Sequence, residues 1–194
     1  MQLLIRSAIR SAIEAMGRLG LSACLLASIP VGGVLAQQPA PAPLATVRNF
    51  QIVSERLASS GQIGYDQIPL IREAGYQVII NLAVADEERN GREGFLVAQE
   101  GLTYVHIPVV WDEPEIADVR MFFDVMRANR DRKVYVHCFA NMRASAFVYL
   151  CRTLVEGMPE AEARATMNAV WDPRENDAWA RLLERARTEL GQAG

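Results

Sequence analysis

"VYVHCFANMRASAFVYL", residues 134–150, reads as a strand, a short loop and the start of a helix. Lys133 to His137 form an apolar, β-branched and aromatic run, the pattern of a strand buried on both faces. Phe147, Leu150, Cys151 and Leu154 then fall at i, i+3, i+4 and i+7, which predicts a helix over about 143–156 with that stripe in the core. Between the two lie Cys138 at the strand end, Phe139-Ala140-Asn141-Met142, and Arg143 at the helix start.

This layout has specific chemistry. Loop amides and the first turn of the following helix direct free N–H groups inward, an anion nest on a helix dipole. Such a field favours the thiolate form of a cysteine. Arg143 adds a planar fork that matches two oxygens of a phosphoryl group. A thiolate at Cys138 can attack phosphorus while Arg143 and the amides of Phe139, Ala140, Asn141, Met142 and Ala144 hold the equatorial charge. The scheme needs no cofactor. It does need a general acid for the leaving oxygen.

The remainder of the chain supplies a frame. Residues 49–61 read as a short strand and a Ser/Gly turn, and 65–75 as a helix ending at Gly75. "VIINL" (78–82) and "TYVHIPVV" (103–110) read as strands. Residues 86–100 are polar around Asn90-Gly91 and then weakly helical. Helices are expected at 115–128, 159–170 and 177–190; the first carries Ile116, Val119, Phe122, Phe123 and Met126 on one face. Alternating strands and helices predict an α/β fold, a central mainly parallel sheet flanked by helices. Ligands in such sheets bind beyond the C-terminal strand ends. Cys138 is at one such end. Asp112 follows another, 26 residues earlier, and is the candidate acid; Glu113 is its neighbouring alternative, and Asp112 can equally serve as a turn residue before Pro114.

"VHCFANMRAS" preceded by "YVHIPVVWDEPE" resembles the cysteine-dependent protein tyrosine and dual-specificity phosphatases, most of all their bacterial branch. "ERLASSGQIGYDQIPLIREAGYQVIINL" resembles that branch's opening, and the likeness covers roughly 49–170. It implies a three-layer phosphatase-like fold and phosphomonoester hydrolysis through a cysteinyl-phosphate. Cys138 is then the nucleophile, Arg143 the phosphate-binding arginine, Asp112 the general acid and His137 the histidine that orients the loop. The family pattern has five residues between Cys and Arg; this chain has four. The family loop carries a glycine; here Asn141 is the residue suited to positive φ. After the arginine the family has Ser or Thr, which helps the thiolate leave; here Ala144 stands there and Ser145 follows. These departures leave oxyanion binding intact and bear on turnover. Two alternatives stay open: a phosphate- or phosphoprotein-binding pseudophosphatase, and a rhodanese-like sulfurtransferase, whose loops share the four-residue spacing.

Composition bounds the rest. The 194 residues are 51% hydrophobic with a formal charge of −3, enough for one domain and without the clustered basic face of a nucleic-acid binder. Arg6, Arg10 and Arg18 precede the apolar run "LGLSACLLASIPVGGVLA", so residues 1–36 are expected to be a signal peptide cleaved after Ala36. Residues 37–48 read as a Pro/Ala-rich linker and 49–190 as the phosphatase-like domain. The mature chain is expected to be periplasmic or secreted, with no membrane role, and to keep 17 basic and 22 acidic residues. Its two cysteines are expected unpaired, because Cys151 sits more than two helical turns beyond Cys138. His106, His137 and the cysteines lack ligand spacing, so no metal site is expected. Trp171 and Trp179 are expected in the core; Trp111 either walls the site or anchors a loop.

Overall fold

Val134–His137 forms the central strand, and all four of its residues are buried. In this computed structural model, residues 44–191 are described; the expected signal peptide and residues 37–43 of the expected linker lie outside them. In chain order the strands are β1 (Gln51–Ser54), β2 (Leu57–Ser60), β3 (Val78–Asn81), β4 (Thr103–His106) and β5 (Val134–His137). The helices are α1 (Ile68–Glu73), α2 (Glu93–Gln99), α3 (Ile116–Ala128), α4 (Met142–Leu154), α5 (Glu160–Asn168) and α6 (Asp177–Leu190). The sheet order is β1-β2-β5-β3-β4. Only β1 runs antiparallel to its neighbour, so the sheet is mainly parallel, as expected.

The strand pleat sorts side chains into two layers. Val134, Val136, Val78, Ile80 and Leu57 enter one core with the apolar faces of α3, α4, α5 and α6. Tyr135, Ile79 and Ala58 enter the other, with Ile68 and Ile71 of α1 and Val97 of α2. The result is three layers, helices–sheet–helices. Registration aligns Ser60, His137, Asn81 and His106 in one row across four strands. Cys138 is the first residue past that row.

Four segments differ in detail from the expectation. Residues 49–61 form a hairpin of two strands, turning at Glu55-Arg56 with a register shift between Ile52 and Ser54. The stretch 103–110 leaves the sheet after His106: β4 is an edge strand whose last bond to β3 is the Ile107 N–H to the Asn81 carbonyl at 2.9 Å, and residues 108–110 run on past the ladder. Helix α4 is buried on every side from Arg143 through Arg152, not along one stripe, because the sheet, α3, α5 and α6 surround it. Leu44 and Val47 are buried against Ala58 and Ile63, so packing begins before Asn49.

Phe147 of α4 is fully buried, with ring centroids 5.7 Å from Phe122 and 6.1 Å from Trp179. Phe147→Ala is expected to cost about 3–5 kcal/mol, read as a lowered denaturant midpoint with an unchanged slope.

Candidate active site

Between β5 and α4 the chain turns in four residues. Asn141 takes φ 64° and ψ −2°, the left-handed conformation that Asn tolerates better than other non-glycine residues. Its side-chain amide donates to the Asn49 carbonyl at 2.6 Å and to the Ser59 hydroxyl at 3.1 Å. Asn49 returns a bond to the Ala140 carbonyl at 2.9 Å. The Gln62 amide donates to the Phe139 carbonyl at 3.3 Å. Gly61 permits this approach: a Cβ there would lie 2.9 Å from the Arg48 carbonyl oxygen and 3.1 Å from that of Phe139. The end of β2 is thus stitched to the loop.

The stitching uses the loop's carbonyls and leaves its amides. Among the described residues, the N–H groups of Phe139, Ala140, Met142, Arg143 and Ala144 have no hydrogen-bond partner. They sit at the N-terminus of a 13-residue helix, where the dipole adds positive potential. Cys138, which precedes them in the loop, is fully buried, and its own N–H donates to the Ser60 carbonyl at 3.3 Å.

Arg143 is buried to 8% exposure. Its Nε donates to the Val109 carbonyl at 2.9 Å, and its guanidinium carbon lies 5.3 Å from the Trp111 ring and 5.9 Å from the Phe139 ring. Both Nη groups lack a partner among the described residues. A buried cation fixed through one nitrogen, with its remaining donors unused, is chemically suited to an oxyanion.

The segment that fixes Arg143 also carries the candidate acid. Asp112 lies three residues past Val109. Trp111 packs against Trp171 at 5.2 Å and Trp179 at 5.1 Å, and its carbonyl accepts the Trp179 indole N–H at 2.9 Å. The Trp171 indole donates to the Met142 carbonyl at 2.9 Å. Three tryptophans therefore tie the Asp112 turn to the first residue of α4. Asp112 and Glu113 are exposed and have no side-chain partner among the described residues.

Residues 48–179 match the family model described as DSP-PTPase phosphatase fused to NAD+ kinase. The chain belongs to that phosphatase family. It is 36% identical to a DUF442 protein of Shewanella putrefaciens CN-32 described as a phosphatase candidate, with a TM-score of 0.68 over 77% of this chain and 96% of that one. TpbA of P. aeruginosa shares the fold at 18% identity and a TM-score of 0.60, covering 75% and 90% of the two chains. A further TpbA structure holds phosphotyrosine. PTPMT1 in complex with PI(5)P shares the fold at 13% identity and a TM-score of 0.61, covering 75% and 99%. Beta-lactamase hydrolase-like proteins of Xylella fastidiosa are 31% identical over 121 residues, 60% of this chain; the match spans only 28% of their length.

Within this phosphatase frame, His137 faces away from Cys138 across the strand. Its Nε2 lies 2.7 Å from Glu93 Oε1, and both side chains are fully buried. Gln62 donates to Glu93 Oε2 at 3.1 Å. The Ser145 hydroxyl donates to the Met142 carbonyl at 3.1 Å, within the first turn of α4. Cys151 is free, as is Cys138. Burial pushes the Cys151 thiol up to about 12, so it stays protonated at neutral pH. The sequence reading did not single out Glu93, Asn49, Ser59 or Gln62. Ser59, Gly61 and Gln62 do lie in the quoted "RLASSGQ"; no local signal pairs Glu93 with His137, 44 positions away.

Asn141 tests the clamp. Asn141→Ala loses both side-chain bonds and keeps the strained φ, with an expected cost of about 2–3 kcal/mol. Asn141→Gly loses the bonds but adopts the φ freely, with an expected cost of about 1–2 kcal/mol. Equilibrium unfolding of the two variants checks the order.

Proposed function

We propose that this protein hydrolyses phosphomonoesters through a cysteinyl-phosphate intermediate. The observation that carries the reading is Arg143: buried, anchored through Nε with both Nη groups unpartnered, at the start of a helix whose preceding loop runs from a buried cysteine and leaves five amides unpartnered. In the proposed reaction Cys138 attacks phosphorus as the thiolate, and Arg143 with the amides of residues 139–144 holds the equatorial oxygens. Asp112 protonates the leaving oxygen, then takes a proton from the water that cleaves the thiophosphate bond. His137, held by Glu93, fixes the backbone at the strand end. Phosphotyrosine in TpbA and PI(5)P in PTPMT1 both carry a phosphate monoester, which supports this substrate class. The family match favours phosphoryl over sulfur transfer. Export, read from residues 1–36, would put the reaction outside the cytoplasm.

A second reading is an oxyanion-binding pseudophosphatase. The complete burial of Cys138 and the four-residue loop favour it, since one amide fewer than in the family pattern frames the anion.

Turnover of 4-nitrophenyl phosphate separates the two. The hydrolase reading expects measurable turnover, abolished by Cys138→Ser. Asp112→Asn should lower kcat by about 10²–10⁴-fold with KM changed little; loss confined to Glu113→Gln would move the acid role to Glu113. Vanadate or phosphate binding without turnover would establish the pseudophosphatase. Iodoacetamide at neutral pH should spare Cys151, read by peptide mass mapping of 144–152.

A further inference from the structure

Phe139, the residue after Cys138, lies against two guanidinium groups. Arg143 is 5.9 Å from its ring centroid and Arg89 is 4.6 Å from it. The two guanidinium carbons are therefore no farther apart than those distances laid end to end, about 10.5 Å. Arg89 is 58% exposed. Its one ion pair is through Nε to Asp86 at 3.5 Å, and its Nη groups have no partner among the described residues.

Arg89 is not a loose surface arginine. Its loop is bonded internally at nearly every turn. Asp86 Oδ1 accepts the amides of Glu88 at 3.1 Å and Arg89 at 3.0 Å. Asn90, buried to 6% exposure, accepts the Asp86 amide at 2.9 Å and donates to the Val84 carbonyl at 3.0 Å. Gly91 is packed so closely that a Cβ would meet the Glu87 carbonyl at 2.6 Å. The loop runs into α2, whose first residue, Glu93, is locked to His137 beside the cysteine. A rigid loop that holds a cation over the aromatic wall of an anion site reduces the ordering cost of binding a second charge there.

We propose that Arg89 recognises a second oxyanion on the substrate, carboxylate or phosphate, beside the phosphoryl group held at Arg143, the two guanidinium carbons lying at most about 10.5 Å apart. The substrate class is then a phosphomonoester with a second negative charge. This inference rests on phosphoryl binding at Arg143, though not on turnover.

The test uses the full chain with Cys138→Ser and two ligands alike in size: 4-carboxyphenyl phosphate and its neutral amide, 4-carbamoylphenyl phosphate. Calorimetry should show the carboxylate bound about 3–10-fold more tightly. The preference should shrink with added salt, vanish with Arg89→Gln and persist in part with Arg89→Lys. 1,4-Phenylene bisphosphate tells whether the second group is read as phosphate as well as carboxylate. Equal affinity for the two ligands, absence of binding, or a preference that survives Arg89→Gln would overturn the proposal. An Arg89-dependent preference in a wild-type protein without turnover would sink the hydrolase reading and leave this one standing. Turnover without such a preference would do the reverse.

Discussion

The left-handed turn at Asn141, tied to the Asn49 carbonyl and the Ser59 hydroxyl, is the constraint on which the rest of the cradle depends. A four-residue loop between a buried strand and a buried helix has little slack. Both anchors are buried: β5 is central in the sheet, and α4 is enclosed from Arg143 to Arg152. One residue must reverse the chain, and its side chain must hold that reversal against β2. With the carbonyls of Phe139 and Ala140 turned toward β2 and Asn49, the loop's amides are left for a ligand. The same peptide units thus bond the loop to β2 on one side and leave their N–H groups free on the other.

A second constraint joins the arginine to the candidate acid. Val109 takes the Arg143 Nε–H, and three residues later Asp112 stands on a turn pinned by Trp111, Trp171 and Trp179. Moving that turn would disturb both the guanidinium and the carboxylate. On the other face of β5, the buried Glu93–His137 pair fastens α2 to the strand end. The site is therefore held from both layers of the fold. Its parts come from residues scattered from Asn49 to Trp179, which explains why the domain and not a local motif is the functional unit.

Much of this was legible in the sequence, and the exceptions have physical causes. The buried strand at 134–137, the cysteine and arginine that flank the loop, and the positive φ at Asn141 follow from local pattern. The helix at 116–128 follows from its apolar spacing. The hairpin at 51–60 was hidden because Glu55-Arg56 carries none of the Gly, Asn or Asp that mark a tight turn. The end of β4 at His106 was hidden because an apolar, β-branched run continues past it; only the lack of a neighbouring strand ends the ladder. Glu93, Asn49 and the tryptophan cluster act through partners 44 to 92 positions away or across 60 residues of chain, and no periodicity encodes such pairings. A glutamate in a polar stretch gives no sign that it will be fully buried.

The central claim is geometric: a four-residue, glycine-free loop still encloses a tetrahedral oxyanion. A crystal structure of the domain with tungstate tests it most directly. The account predicts one tungstate above the Cys138 sulfur, gripped by both Nη groups of Arg143 and by backbone N–H groups between Phe139 and Ala144, with Asn141 still left-handed. A tungstate held elsewhere, or a loop whose amides turn away from it, would contradict the account.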